Sequence, residues 1–486
     1  MRAKANQAKK GQGCDQVPTG VATEHYWLRF RVPPGLMPDR QFDGRPAKLQ
    51  VHRVRPVYAN GKCPSVPTQA VVLIHGRTVT GPVAFDLRAP APGGDVLSVQ
   101  EALARAGIDT FAPSLLGYGK STRFDESLND PGNASLRGYP TDAATGAVLA
   151  CPHPEEGCDR TLIPGINPLD QQGNQQGTTP VGLWIHPLAK QRRAHSSKFR
   201  FARTDVWVRD IDQVIADAIK RAQPDDDKVT LVGYSVGGQH VGRTLYADNP
   251  NKLLDERDQV IEKVSRVVFL NSLFGGPTED PDPFGRPTFP LTLNDRSGSD
   301  ALWQMSTAAA CPGRIIPGTQ KQVWEQTMEH ETVGREWGGD DANQPPIGLN
   351  RAPTFSGYGW NPVVAGQLST PTLVMQGLED GVLPTGKGTG QAIYNALPAS
   401  PWPMASKVLV QVECASHALL WEGCAGNRCK PASGTTSYGG KPGDPWAGPH
   451  ATLKAALIEW IKSGTFNGAA NGSFKVNESG VARPAP

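Results

Sequence analysis

Residues 233–238, Gly-Tyr-Ser-Val-Gly-Gly, stand between the apolar run 229–232 (VTLV) and a helix-compatible stretch at 239–246. A strand that passes into a helix over so few residues can turn only where side chains are missing, which is what the glycines supply. Ser235 sits at the apex, where the turn holds it in strained backbone with its hydroxyl presented outward. A G-x-S-x-G string alone is a weak signal. Its setting between a buried strand and a helix is the setting a nucleophile elbow requires. The feature therefore demands a chain that alternates strands with helices.

The rest of the chain keeps that alternation. Residues 70–74 (AVVLI) are a short, wholly apolar, β-branched run, as a buried strand should be, and 108–112, 264–270, 372–376 and 408–412 are further strand candidates. Residues 48–57 alternate apolar with polar and predict a half-exposed strand. Between them, 97–106 has helical spacing and stops at Gly107, and 206–222 places Val208, Ile211, Ile215 and Ile219 on one face. A closing amphipathic helix is expected at 453–461. Short buried strands separated by helices imply an α/β fold with a mostly parallel central sheet covered on both faces.

Two stretches break the pattern and set the expected organisation. Residues 1–44 read as an N-terminal extension, of which the first twenty are a polar lead-in, and 45–271 as the first part of the core. That part contains a Gly-, Pro- and Asn-rich loop insertion at about 121–200. Residues 272–369, holding Trp303, Trp324, Trp337 and Trp360, read as a lid over the site, because structureless loops of that length are uncommon in compact domains. Its tryptophans either face a partly apolar or aromatic substrate or form the lid's own small core. Residues 370–464 complete the core, and 465–486 read as a frayed polar tail.

Composition narrows the partners. With 49 basic and 46 acidic residues the formal net charge is +3, which leaves no footprint of nucleic acid or anionic membrane. No run of about 18 apolar residues exists to form a transmembrane helix. The eight cysteines, Cys14, Cys63, Cys151, Cys158, Cys311, Cys414, Cys424 and Cys429, contain no C-x-x-C pair. Disulfides in an extracellular or periplasmic compartment are the favoured reading, with Cys151–Cys158 and Cys424–Cys429 as candidate bridges. A metal site built on Cys151, His153 and Cys158 is the lesser alternative. The basic N-terminus lacks the apolar segment of a signal peptide, so an exported protein would be present here as a mature form with an added initiator.

A serine hydroxyl is a poor nucleophile until a base removes its proton. Of ten histidines, His417 follows the last core strand directly, on a loop able to reach the sheet's C-terminal edge. His75 and His240 are the other histidines close to this machinery. The imidazole needs a carboxylate to fix its tautomer, and Asp380, in the loop after 372–376, is the first choice, with adjacent Glu379 as its rival. The chain order is Ser235, Asp380, His417.

These segments together resemble the α/β-hydrolase superfamily. Residues 73–77 (LIHGR) resemble its oxyanion-loop strand, 111–121 (FAPSLLGYGKS) the segment after the next strand, and 377–384 (GLEDGVLP) its acid loop. Ser114 stands where an Asp is common, and 414–417 (CASH) departs from the commoner Gly-flanked His. The likeness spans 45–120, 205–271 and 370–464. It implies an α/β-hydrolase fold and an oxyanion hole formed by the backbone N–H groups of Val236 and Arg77. The Arg77 side chain either holds an anionic substrate group or pairs locally.

The expected function is a serine hydrolase cleaving a small-molecule carboxylic ester or lactone through an acyl-enzyme, without metal or organic cofactor. A peptidase or amidase, or a transacylase, would use the same residues. A binding module of the same fold would take no fluorophosphonate label at Ser235.

Overall fold

The computed structural model describes residues 14–37, 40–91, 96–124, 204–245, 260–278, 291–294, 296–305, 311–332, 334–336, 348, 350–353, 358–383, 388–398 and 406–485. The Cys151/Cys158 pair with His153, most of the expected loop insertion, and Trp337 lie outside these residues.

Twelve strands are described. They are β1 Gly20–Arg31, β2 Pro46–Val57, β3 Gln69–Ile74, β4 Ile108–Ser114, β5 Val229–Tyr234, β6 Val264–Leu270, β7 Leu291–Asn294, β8 Asn350–Pro353, β9 Thr372–Gly377, β10 Lys407–Val412, β11 Gly472–Val476 and β12 Ala482–Pro484. Ten of them form one sheet in the order β1-β2-β4-β3-β5-β6-β9-β10-β11-β12, with β7 and β8 paired apart. Every neighbour from β4 through β11 is parallel; β1, β2 and β12 run antiparallel at the flanks.

The described α-helices are α1 Gly81–Phe85, α2 Val99–Arg105, α3 Thr204–Ala222, α4 Val236–Thr244, α5 Arg296–Asp300, α6 Thr319–His330, α7 Pro362–Ala365, α8 Gly388–Ala396 and α9 Pro449–Ser463. Local chemistry sets their ends. Ser98 caps α2 by accepting the Glu101 N–H at 2.8 Å, the S-x-x-E pattern, and Gly464 closes α9 in the left-handed region at φ 71°. Two apolar clusters cover the sheet. One holds Trp207, Ile211 and Trp360; the other holds Leu103, Trp303, Trp421 and Trp460. No described helix is long and apolar enough to cross a membrane.

The chain runs from β3 to β4 on one side and returns to β5 on the other. That reversal opens a crevice at the carboxyl ends of β3 and β5, where open α/β sheets place their sites.

Four expectations change. Residues 20–31, assigned to an extension, join the sheet as β1. On β2, Gln50 and His52 are buried, His52 against Asp86 at 2.7 Å, so the half-exposed reading fails. Residues 472–476, assigned to a frayed tail, form β11 because they lie parallel on β10 with Phe474 and Val476 turned inward. Two of the tryptophans of 272–369, Trp303 and Trp360, pack into the main core and not into a core of the segment's own. Trp360 stacks on Phe269 of β6 at 4.5 Å and Trp303 on Trp421 at 5.4 Å, both within the main clusters.

Three disulfides are formed among the described residues: Cys14–Cys63, Cys311–Cys414 and Cys424–Cys429. Only the last was foreseen. All three are bonds of an oxidising environment.

Candidate active site

Strand β5 ends at Tyr234, and the turn into α4 falls on Ser235 with φ 56° and ψ −124°, a region that L-residues rarely occupy. The turn survives because its neighbours are glycines. A Cβ on Gly233 would lie 2.5 Å from Gly238 Cα, and one on Gly237 would lie 2.4 Å from Ile74 O. The Ser235 N–H donates to Leu270 O at 2.9 Å, fixing the apex against β6.

His417 lies in the loop after β10, and its Nε2 meets Ser235 Oγ at 2.9 Å. Its Nδ1 meets Asp380 Oδ2 at 2.8 Å. The other carboxylate oxygen, Oδ1, accepts the N–H groups of Val382 (2.9 Å) and Leu383 (3.2 Å), which holds the acid in its loop after β9. Ser235, His417 and Asp380 are 9%, 1% and 0% exposed, so the chain of contacts is enclosed and opens only at the serine. Glu379, the rival acid, is half-buried one residue away, and its N–H donates to Ala415 O at 2.9 Å.

The two backbone groups named for the oxyanion hole flank the serine. Val236 is the first residue of α4, where N–H groups have no partner within the helix and the helix dipole is positive. Arg77 follows Gly76, whose added Cβ would lie 3.0 Å from Ser235 Cβ, so this backbone passes directly beside the serine. Arg77 is half-buried, and desolvation of its guanidinium lowers its pKa from the ordinary value while Tyr118 opposes that shift.

The other nearby histidines do structural work. His75 Nδ1–H donates to Gly76 O at 2.7 Å, and its Nε2 accepts the Leu115 N–H at 3.0 Å. Burial pulls its pKa down to about 4. His240, on α4, packs on Trp207 with ring centroids 4.7 Å apart, and burial with His75 nearby pulls it down to about 3.

Sequence patterns missed four residues around His417. Tyr234 Oη donates to His417 O at 2.9 Å, and burial raises the phenol well above its ordinary pKa. Asn271, just past β6, donates from Nδ2 to Ser416 O (2.9 Å) and His417 O (3.0 Å). Glu422 accepts the Ser416 N–H at 2.7 Å on Oε2, and Arg314 pairs with its Oε1. The one available signal was position: Asn271 directly follows an apolar strand.

The profile of the alpha/beta hydrolase fold family matches residues 69–423. The chain belongs to that family. Solved structures similar to it include a 2-hydroxy-6-oxo-6-phenylhexa-2,4-dienoate hydrolase from a Rhodococcus species, at 13% identity over 82% of this chain and 95% of that one, TM-score 0.37. A monoacylglycerol lipase from Paleococcus ferrophilus matches at 13% identity over 91% and 100%, TM-score 0.35. A soluble variant of monoglyceride lipase from Saccharomyces cerevisiae matches at 10% over 87% and 93%, TM-score 0.38. No curated protein matches the chain in sequence at a significant level.

Proposed function

We propose that the protein is a serine hydrolase that cleaves a carboxylic ester or lactone through an acyl-enzyme. The observation that carries this reading is the continuous pair of contacts, Ser235 Oγ to His417 Nε2 at 2.9 Å and His417 Nδ1 to Asp380 Oδ2 at 2.8 Å. Family membership makes it a hydrolase fold; these contacts supply the chemistry.

In the first half-reaction Ser235 Oγ bonds to the acyl carbon while its proton passes to His417 Nε2. Asp380 holds Nδ1–H and offsets the imidazolium charge. The backbone N–H groups of Val236 and Arg77 receive the oxyanion, and each such donor is typically worth roughly 10²–10³ in rate. Collapse breaks the acyl–oxygen bond, and the leaving alkoxide takes the proton from His417. Water then loses a proton to His417, attacks the acyl carbon and releases the acid with Ser235 restored.

Residues 272–369 serve as a lid in this reading, and the disulfides favour an extracellular or periplasmic site of action. The indoles of Trp303 and Trp360 are occupied in packing, so these two do not support the partly apolar or aromatic substrate.

The test is hydrolysis of p-nitrophenyl esters from acetate to laurate by wild type and Ser235→Ala, side by side. Activity with a chain-length optimum, lost in the variant, is the expected result. Equal rates in the two proteins, or no turnover by wild type across the series, would overturn the ester reading.

A further inference from the structure

Within the segment between β6 and β9, residues 311–315 are stitched to the loop that carries His417. Cys311 is bonded to Cys414, three residues before His417, with Cα atoms 5.6 Å apart. The Ala425 N–H donates to Pro312 O (3.0 Å), the Gly423 N–H donates to Arg314 O (2.9 Å), and Ile315 bridges antiparallel to Glu422. The fit is close: a Cβ on Gly313 would lie 2.2 Å from Ala425 Cβ.

At the centre of this seam lies a buried ionic group. Glu422 has no exposed side-chain surface; its Oε1 accepts the Ser416 hydroxyl at 2.6 Å and its Oε2 accepts the Ser416 N–H at 2.7 Å. Arg314 Nη1 pairs with that same Oε1 and lies 3.4 Å from Ser416 Oγ. Desolvation raises the Glu422 pKa and the Arg314 guanidinium opposes that shift, so the two side chains sit as one buried pair beneath the Ser416 backbone. Ser416 is the residue immediately before His417.

A base on a loop must keep its nitrogen within hydrogen-bond reach of the proton it takes, and a displacement near 1 Å costs about 100-fold in rate. We propose that Arg314 is a positioning residue for His417. It acts through Glu422 and Ser416, and the Cys311–Cys414 disulfide is its covalent counterpart. The segment between β6 and β9 thereby holds the base in register with Ser235. This inference rests on the acyl-transfer reading of Ser235, His417 and Asp380.

The test uses two variants and one treatment of the full chain. Arg314→Met/Glu422→Gln removes the ion pair without stranding a buried charge, and Cys311→Ser/Cys414→Ser removes the bond. Each is expected to lower kcat on a p-nitrophenyl ester roughly 10- to 100-fold with KM little changed. The rate of fluorophosphonate labelling of Ser235 falls in parallel, and far-UV circular dichroism stays native. Should a variant not fold, titration of native wild type with dithiothreitol decides. kcat is then expected to fall in step with loss of the Cys311–Cys414 bond by peptide mapping, and to return on reoxidation.

Wild-type kcat in folded variants, a loss confined to KM, or a cleaved bond with unchanged kcat would overturn the proposal. Ser235→Ala separates the two levels. If it retains hydrolysis, the acyl-transfer reading fails; if it is inactive while the brace variants keep full kcat, only the positioning role fails.

Discussion

Asn271 and His417, 146 residues apart in sequence, are joined by a hydrogen bond from the Asn271 side-chain amide to the His417 backbone carbonyl at 3.0 Å. The same amide donates to Ser416 O, and its Oδ1 accepts the Gly377 N–H at 2.8 Å. One side chain at the end of β6 thus ties the start of the acid loop to the base loop.

Asn271→Ala strands the buried Ser416 carbonyl and the buried Gly377 N–H, each worth roughly 1–3 kcal/mol when left unpaired, while His417 O keeps the Tyr234 hydroxyl. It also puts alanine at φ 39°. The expected result is a lower denaturation midpoint together with reduced kcat. Denaturant titration and ester kinetics on one preparation check it, and a stable variant with full kcat would refute the tie.

The two candidate acids separate cleanly by substitution. Asp380→Asn is expected to lower kcat by about 10⁴ through the wrong imidazole tautomer. Glu379→Gln stays near wild type, since the Asp380 carboxylate is the one facing His417 Nδ1. The reverse pattern in steady-state kinetics would reassign the acid.

Two glycines stand where a methyl group would meet close-packed neighbours. Gly242→Ala would drive a Cβ to 2.1 Å from the ring of Trp360, and Gly237→Ala would press on the Ile74 and His75 carbonyls. Overpacking of this kind typically costs about 1–3 kcal/mol, and more where backbone must move. Thermal melts are expected to show both destabilised, Gly237→Ala the more because its obstacle is main chain.

Acid stability follows from the buried imidazoles. His75 and His240 are depressed to about 4 and about 3, so the unfolded chain binds protons that the folded one refuses. Their contribution is fully present above about pH 6.5 and is lost as pH falls toward those values. Asp210, pushed up to about 6 by burial, acts oppositely: its contribution is present below about pH 4 and lost as pH rises through 6. His330, also depressed to about 4, adds to the imidazole contribution, and Asp109 and Glu422, both raised by burial, add to that of Asp210; the imidazole part is a drop in melting temperature as pH falls from 6.5 to 4. His75→Gln can still donate to Gly76 O and accept from Leu115 N–H, and is expected to flatten that drop. An unchanged slope would exclude His75 as a source.

Much of the core was legible because its strands are buried on both faces. Residues 70–74 and 267–270 have nowhere to expose a polar side chain, so they read as unbroken apolar runs. The elbow was legible because backbone geometry leaves only glycine beside Ser235. β11 was not: its sequence, GSFKV, reads as a loop, and only the register with β10 makes it a strand. The Cys14–Cys63 and Cys311–Cys414 pairings span 49 and 103 residues and depend on where the fold carries each end, which spacing does not encode. Arg314 and Glu422 escaped notice for the same reason, as single polar residues brought together only by tertiary contact.

The pairing of β11 on β10 has a consequence for the whole molecule's integrity. α9 and β11 are joined through a tight turn at 466–469, where the Glu459 carboxylate accepts the N–H groups of Asn467 and Gly468. A protease cut in that turn would leave β11 and β12 as a detached peptide lying against the strand that leads to His417. An intramolecular pairing would become an association between two molecules, and its occupancy would follow concentration. Turnover by the clipped protein would then fall on dilution and recover on adding the peptide back, making the enzyme a two-piece reporter of its own edge.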